Sequence, residues 1–101
     1  MFELEGIYTP IATPFADGKI AYDKLEKNLD FWLSSKLTGI VVMGSNGEFV
    51  GLRESEKDDL TRFCCTYIKG RKKIIIGTGS NCIDETHHLN KLAAECGADA
   101  V

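Results

Sequence analysis

A regular alternation restricts the fold of this chain more than any other feature. Short β-branched runs, Ile40-Val41-Val42-Met43 and Ile74-Ile75-Ile76, are each followed by a longer segment with apolar residues at helical spacing. Runs this short and this apolar predict fully buried strands, since a strand with one wet face would alternate polar and apolar residues. A first strand is expected over Gly6–Thr13, ended by Pro14, although Pro10 within it cannot donate to a ladder. Asp17-Gly18 predicts a turn, and a helix follows over about Tyr22–Ser35 with Leu25, Leu29, Trp32 and Leu33 on one face. The second strand is Gly39–Met43, and a second helix over about Glu54–Lys69 buries Leu60, Phe63, Cys64, Tyr67 and Ile68. Lys73–Gly77 predicts a third strand and about Asp84–Cys96 a third helix, with Leu89, Leu92, Ala93 and Cys96 inward. Ala98-Asp99-Ala100-Val101 reads as the start of a fourth strand.

Strands alternating with helices of this length make a parallel α/β sheet with crossover connections. Two folds repeat such units, the doubly wound sheet and the (β/α)8 barrel, and both bind ligands at the C-terminal ends of their strands. That rule puts Thr13, Ser45, Asn46, Glu48, Thr78, Ser80 and Asn81 on one rim. The turn Gly44-Ser45-Asn46-Gly47-Glu48 stands out there, with two glycines bracketing two small polar side chains. Glycine allows close approach to the backbone, the hydroxyl and carboxamide both donate and accept, and backbone N–H groups complete a cradle for a small carboxylate or phosphate. Taken alone, the same five residues also read as a plain strand-to-helix connection.

Composition narrows the partners. The chain has 101 residues, 44% hydrophobic and 27% charged, with a net charge of −3, which describes one soluble globular domain and gives no electrostatic reason to expect nucleic acid or an anionic membrane. The one basic run, Lys69-Gly70-Arg71-Lys72-Lys73, suits a helix C-terminus stopped by Gly70. No segment approaches the ~20 apolar residues of a membrane span, and Met1–Glu5 lacks the layout of a signal peptide. Cys64, Cys65, Cys82 and Cys96 form no Cys-x-x-Cys pair, so a zinc site or disulfide framework is not expected and a reducing cytoplasm is. Cys64 and Cys96 fall on apolar faces and read as small core residues. His87 and His88 point about 100° apart on a helix and read as a surface pair, Asp58-Asp59 as a solvated helix face, and Trp32 as core. Glu48 has the chemistry of a general base, yet a carboxylate after a strand more often accepts from neighbouring backbone N–H groups. No metal or cofactor is expected.

A nucleotide-binding α/β domain is one alternative. Gly77-Thr78-Gly79 follows a strand and precedes a helix, with Asp99 further on, as in part of the dinucleotide fingerprint. The third glycine of that pattern falls on Cys82, and no Gly-Lys-Ser/Thr follows either glycine loop.

Gly39-Ile-Val-Val-Met-Gly-Ser-Asn-Gly-Glu-Phe49, followed by Glu56, resembles the signature of the dihydrodipicolinate synthase / N-acetylneuraminate lyase family. Thr13-Pro14-Phe15, Gly77-Thr78-Gly79-Ser80-Asn81 and Gly97-Ala98-Asp99-Ala100-Val101 are similar to further segments of that family's N-terminal part, in order along the chain. The resemblance implies a (β/α)8 barrel and class I aldolase chemistry, in which a lysine forms a Schiff base with pyruvate or a pyruvoyl-containing substrate. It implies that Ser45 is the catalytic hydroxyl, relaying a proton to and from a tyrosine, and that Ser45, Asn46 and the Gly47 backbone bind the substrate, with Asn46 and Gly47 gripping its carboxylate. The synthases usually carry threonine where Asn46 stands; Ser-Asn is more like the 4-hydroxy-2-oxoglutarate aldolases. Arg53 stands where a Ser/Thr cap ahead of Glu56 is expected, which loosens the helix start unless Ser55 caps instead.

The family's Schiff-base lysine lies on its sixth strand and its tyrosine just after its fourth. Lys24, Lys27, Lys57 and Lys91 fall in helices, Lys72 and Lys73 precede the third strand, and neither Tyr8 nor Tyr22 matches the tyrosine's position. Residues 1–101 are therefore expected to be three βα units and the start of the fourth strand of a TIM barrel, carrying half of a site without its nucleophile. Such a unit is expected to form a homo-oligomer or to dock with a complementary barrel segment. The non-catalytic alternative is a truncated barrel fragment serving only in assembly.

Overall fold

The computed structural model describes residues 3–101. In chain order the elements are β1 (Tyr8–Pro10), β2 (Phe15–Ala16), β3 (Lys19–Ile20), α1 (Tyr22–Leu33), β4 (Gly39–Val42), α2 (Glu54–Ile68), β5 (Lys73–Ile76) and α3 (Ile83–Cys96). Two 3-10 turns, Ser45–Gly47 and Phe49–Gly51, lie between β4 and α2. β1, β4 and β5 form a parallel sheet in that order, with Tyr8 opposite Gly39 and Ile40 opposite Ile74. A parallel bridge between Ile75 and Ala100 begins the next strand where one was expected.

β1 is shorter than the Gly6–Thr13 expectation. Proline has no N–H to give, and among the described residues β1 pairs only with β4, so Pro10 is tolerated where no second neighbour needs it. The Asp17-Gly18 turn closes a small antiparallel hairpin, β2 with β3, that the reading of the turn alone did not foresee. α1 stops at Leu33 instead of Ser35 because the hydroxyls of Ser34 and Ser35 turn back onto Phe31 O and Trp32 O. Gly70, with φ of +77°, ends α2 as its place after Lys69 suggested.

The strands are not fully buried, as their all-apolar runs had suggested. Ile40, Val42, Ile74 and Ile76 lie buried beneath the helices, whereas Val41 and Ile75 on the opposite face are half-buried. The helices cover one side of the sheet, where the core gathers Leu25 and Leu29 of α1, Leu60, Cys64, Cys65 and Ile68 of α2, and Ala93 of α3. Cys65 joins this core beside the expected Cys64, while Cys96 is only half-buried. Phe63 and Tyr67 are half-buried too: with Tyr22 they form a ring ladder across α1 and α2, at centroid spacings of 4.8 Å and 5.7 Å. Trp32 packs against the core from its margin.

The N-cap of α2 is Arg53, whose side chain offers no acceptor. Only the Glu56 half of a capping box forms, its Oε1 accepting from Arg53 N–H at 2.9 Å. Ser55 does not take over the cap. No helix among the described residues is long and apolar enough to cross a membrane.

Candidate functional site

The turn after β4 is assembled from both neighbouring strands. Met43 leaves β4 with φ of 59° while staying buried. Gly47 N–H then bonds Gly44 O and Glu48 N–H bonds Ser45 O, each at 3.0 Å, so the expected turn takes the form of a compact 3-10 turn. The amides of Ser45 and Asn46 precede these bonds and have no acceptor within the turn. Thr13 Oγ1, buried beyond the end of β1, donates to Gly47 O at 2.7 Å. A β-carbon on Gly47 would sit 3.3 Å from both Ile11 O and Thr13 Oγ1, so glycine lets the turn lie against the β1 segment. Gly47 is buried by this contact, and Ser45 and Asn46 are exposed. A hydroxyl, a carboxamide and two open amides on a pinned turn can together hold a small carboxylate.

The other rim residues divide between two places. Asn46 borders a groove of about 480 Å³ with Pro10, Ile11, Ala12, Asn28 and Trp32. Ser80 and Asn81 instead line a cavity of about 500 Å³ that includes Phe49, Leu52, Lys57 and Glu85. Thr78 is buried. Glu48, at φ of 57°, is exposed, and its carboxylate makes no hydrogen bond among the described residues, contrary to the expected backbone contact.

Lys57 in that larger cavity was read only as a helical lysine. It is 7% exposed, and its Nζ lies 3.0 Å from Glu85 Oε1. Ser80 Oγ donates to Glu85 Oε2 at 2.7 Å and accepts Cys82 N–H at 3.1 Å. The Ser80 hydroxyl and the Lys57 ammonium hold the Glu85 carboxyl below its ordinary 4.5. A signal was present in the spacing, since Lys57 lies in line with the buried stripe Leu60, Thr61, Cys64, Cys65 and Ile68. On the helix face of Asp58-Asp59, Asp59 is exposed as expected, whereas Asp58 is half-buried and paired: His88 Nε2 sits 3.0 Å from each of its carboxylate oxygens, joining α2 to α3. Among the described residues no group of three or more His, Cys, Asp or Glu is arranged to hold a metal ion.

The remaining lysines stand away from the turn. Lys24, Lys27 and Lys91 are exposed on helices, and Lys72 Nζ donates to Ser35 O at 2.8 Å and Leu37 O at 2.6 Å at the N-terminal end of the sheet. Asp99 lies at that same end, its Oδ2 accepting from Ile74 N–H at 2.8 Å, while Gly77-Thr78-Gly79 follows the other end of β5. The acidic residue and the glycine loop of a dinucleotide site are therefore not brought together. Burial pushes the Cys64 thiol up to about 12 and the Cys65 thiol to about 11, so both are un-ionised packing groups.

The model of the dihydrodipicolinate synthetase family matches residues 3–101. A 4-hydroxy-tetrahydrodipicolinate synthase of Methanococcus maripaludis is 36% identical over 98 residues, which is 97% of this chain and 34% of that protein. The crystal structure of dihydrodipicolinate synthase from Aquifex aeolicus superposes with a TM-score of 0.92 at 33% identity, over 96% of this chain and 33% of the other. YagE, a prophage protein of the dihydrodipicolinic acid synthase family from E. coli K12, solved in complex with pyruvate, gives a TM-score of 0.90 at 31% identity, over 94% of this chain and 32% of its own. The chain thus spans about a third of the length of these relatives, and the parallel β1–β4–β5 sheet with its helices corresponds to the N-terminal part of their barrels. With the family model spanning nearly every residue and the fold agreeing so closely, this chain belongs to the dihydrodipicolinate synthetase family.

Proposed function

We propose that residues 1–101 are the first three βα units of a class I, Schiff-base aldolase or lyase acting on pyruvate or a pyruvoyl-containing substrate. In this reading Asn46 and the Gly47 backbone hold the substrate carboxylate, and the Ser45 hydroxyl passes a proton to and from the reacting centre. The lysine that forms the Schiff base comes from a part of the barrel outside these residues. The site is completed within a larger barrel, in a homo-oligomer or with a complementary barrel segment, in the cytoplasm. The observation that carries the reading is the bond from Thr13 Oγ1 to Gly47 O. It ties the turn to the segment that follows β1, and it supports the reading because Ser45 and Asn46, in the same turn, are exposed after the C-terminal end of β4, the end at which barrels bind ligands. The pyruvate complex of YagE adds the ligand class.

The test is a chimera in which residues 1–101 replace the matching third of the Aquifex aeolicus enzyme. Borohydride in the presence of pyruvate is expected to trap a reduced adduct on the chimera, read as a mass increase, and none on the 101-residue chain alone. Ser45→Ala is expected to lower kcat about a hundredfold, and Asn46→Ala to raise the KM for pyruvate. A folded chimera that traps nothing, or that is indifferent to Ser45→Ala, overturns the assignment and leaves the non-catalytic assembly reading.

A further inference from the structure

The cavity of about 500 Å³ between the loop after β4 and the loop after β5 contains a buried charge that meets the first loop directly and the second through Glu85 of α3. Lys57 lies in the first turn of α2, where a cation opposes the helix dipole, and it is 7% exposed. Burying an ammonium there does not favour α2 by itself, so its compensation has to come from across the cavity. On one side its Nζ stands 5.9 Å from the centroid of Phe49, the residue that opens the second 3-10 turn directly after Ser45–Glu48. On the other it meets Glu85 Oε1 at 3.0 Å.

Glu85 is free for this role because of an exchange of partners at the start of α3. A glutamate at the third helical position ordinarily accepts the N-cap amide, as Glu56 does for Arg53. At α3 the Cys82 N–H goes to Ser80 Oγ, and the Ser80 hydroxyl goes to Glu85. The carboxylate therefore ties Ser80, on the loop after β5, to Lys57. The two loops already touch beneath this network, where Gly77 N–H donates to Val42 O at 2.7 Å and the Gly77 Cα hydrogen faces Met43 O closely enough that a β-carbon would lie 2.1 Å from it.

We propose that Lys57 is a positioning residue that couples the two rim loops, bridging Phe49 beside the Ser45–Glu48 turn to Glu85 and, through Glu85, to Ser80 in the loop of residues 77–82. The inference rests on the reading of that turn as functional, but its test does not pass through pyruvate. Amide hydrogen exchange of the chimera that carries residues 1–101 in the full barrel is followed by mass spectrometry for the unsubstituted form, Lys57→Met, Lys57→Arg and Glu85→Gln. The amides of Gly47, Glu48 and Cys82 report the loops, and helix amides at Cys64 and Leu92 report global opening.

Lys57→Met and Glu85→Gln are expected to speed exchange at Gly47, Glu48 and Cys82 about tenfold or more beyond any change at Cys64 and Leu92. Lys57→Arg, which keeps the charge and the reach to both partners, is expected to restore protection. Acceleration spread evenly over core and loops overturns the proposal, since Lys57 then only adds stability. So does acceleration confined to Cys82, because the turn after β4 is then not coupled. If Lys57→Met does not fold, Glu85→Gln and Lys57→Arg decide by the same criterion. Failure of borohydride trapping with this exchange pattern intact overturns the pyruvate reading alone; the reverse result overturns only the role of Lys57.

Discussion

Gly77 occupies the closest approach between β5 and the residues that leave β4. Alanine there would put a methyl group 2.1 Å from Met43 O and 2.8 Å from Met43 C, both backbone atoms that cannot swing aside as a side chain would. Gly77→Ala is expected to cost about 2 kcal/mol or more, measured as a drop in denaturation midpoint at unchanged m-value. Glycines in this segment were legible as a loop signal, but not as a steric demand, because the neighbour that imposes it is distant in sequence. Glu85 gives a second, pH-dependent outcome. Ser80, then Lys57, with His88 nearby, favour its ionised form, so its folded pKa lies below the unfolded value. The unfolded chain therefore takes up this proton first, and the stabilisation present above the ordinary carboxylate range is lost as pH falls through it. Urea midpoints measured from about pH 6 down to pH 3 should fall more steeply for wild type than for Glu85→Gln. Equal slopes would mean that the Lys57–Glu85 pair does not persist in solution.

Each helix was recognised from its apolar spacing, because that spacing is set by the helix itself. Ends were less legible. Ser34 and Ser35 stop α1 by turning onto carbonyls of the previous turn, a choice that apolar periodicity does not encode. At the start of α2, the missing Ser/Thr cap was read correctly, and Glu56 supplies only the reciprocal bond. Arg53→Ser should add the absent side-chain acceptor and raise stability by about 1 kcal/mol, seen as a higher Tm. A neutral or negative change would show that N–H groups of the first turn are already satisfied by water. The pairing of Asp58 with His88 belongs to the same level, since it joins two helices whose relative placement follows from packing.

Taken whole, the molecule is a parallel sheet covered by helices on one side. Val41 and Ile75 are half-open on the other, and among the described residues β1 has β4 as its single partner. Parallel strands are ordinarily buried on both faces, and unpaired edges recruit further strands. A polypeptide of these 101 residues is therefore expected to self-associate with rising concentration in sedimentation velocity; a single monomeric species across a wide range would contradict this. The alternation of the parallel strands with helices, the α/β class, the turn Gly44–Glu48 and the family likeness could all be read along the chain, because each is written in local spacing and neighbouring residue types. The bond from Thr13 to Gly47, the seating of Gly77 against Met43, and the bridge from Lys57 to Glu85 could not. Those contacts join residues far apart in sequence, and distance along the backbone says nothing of which side chains meet until the helices have settled on the sheet.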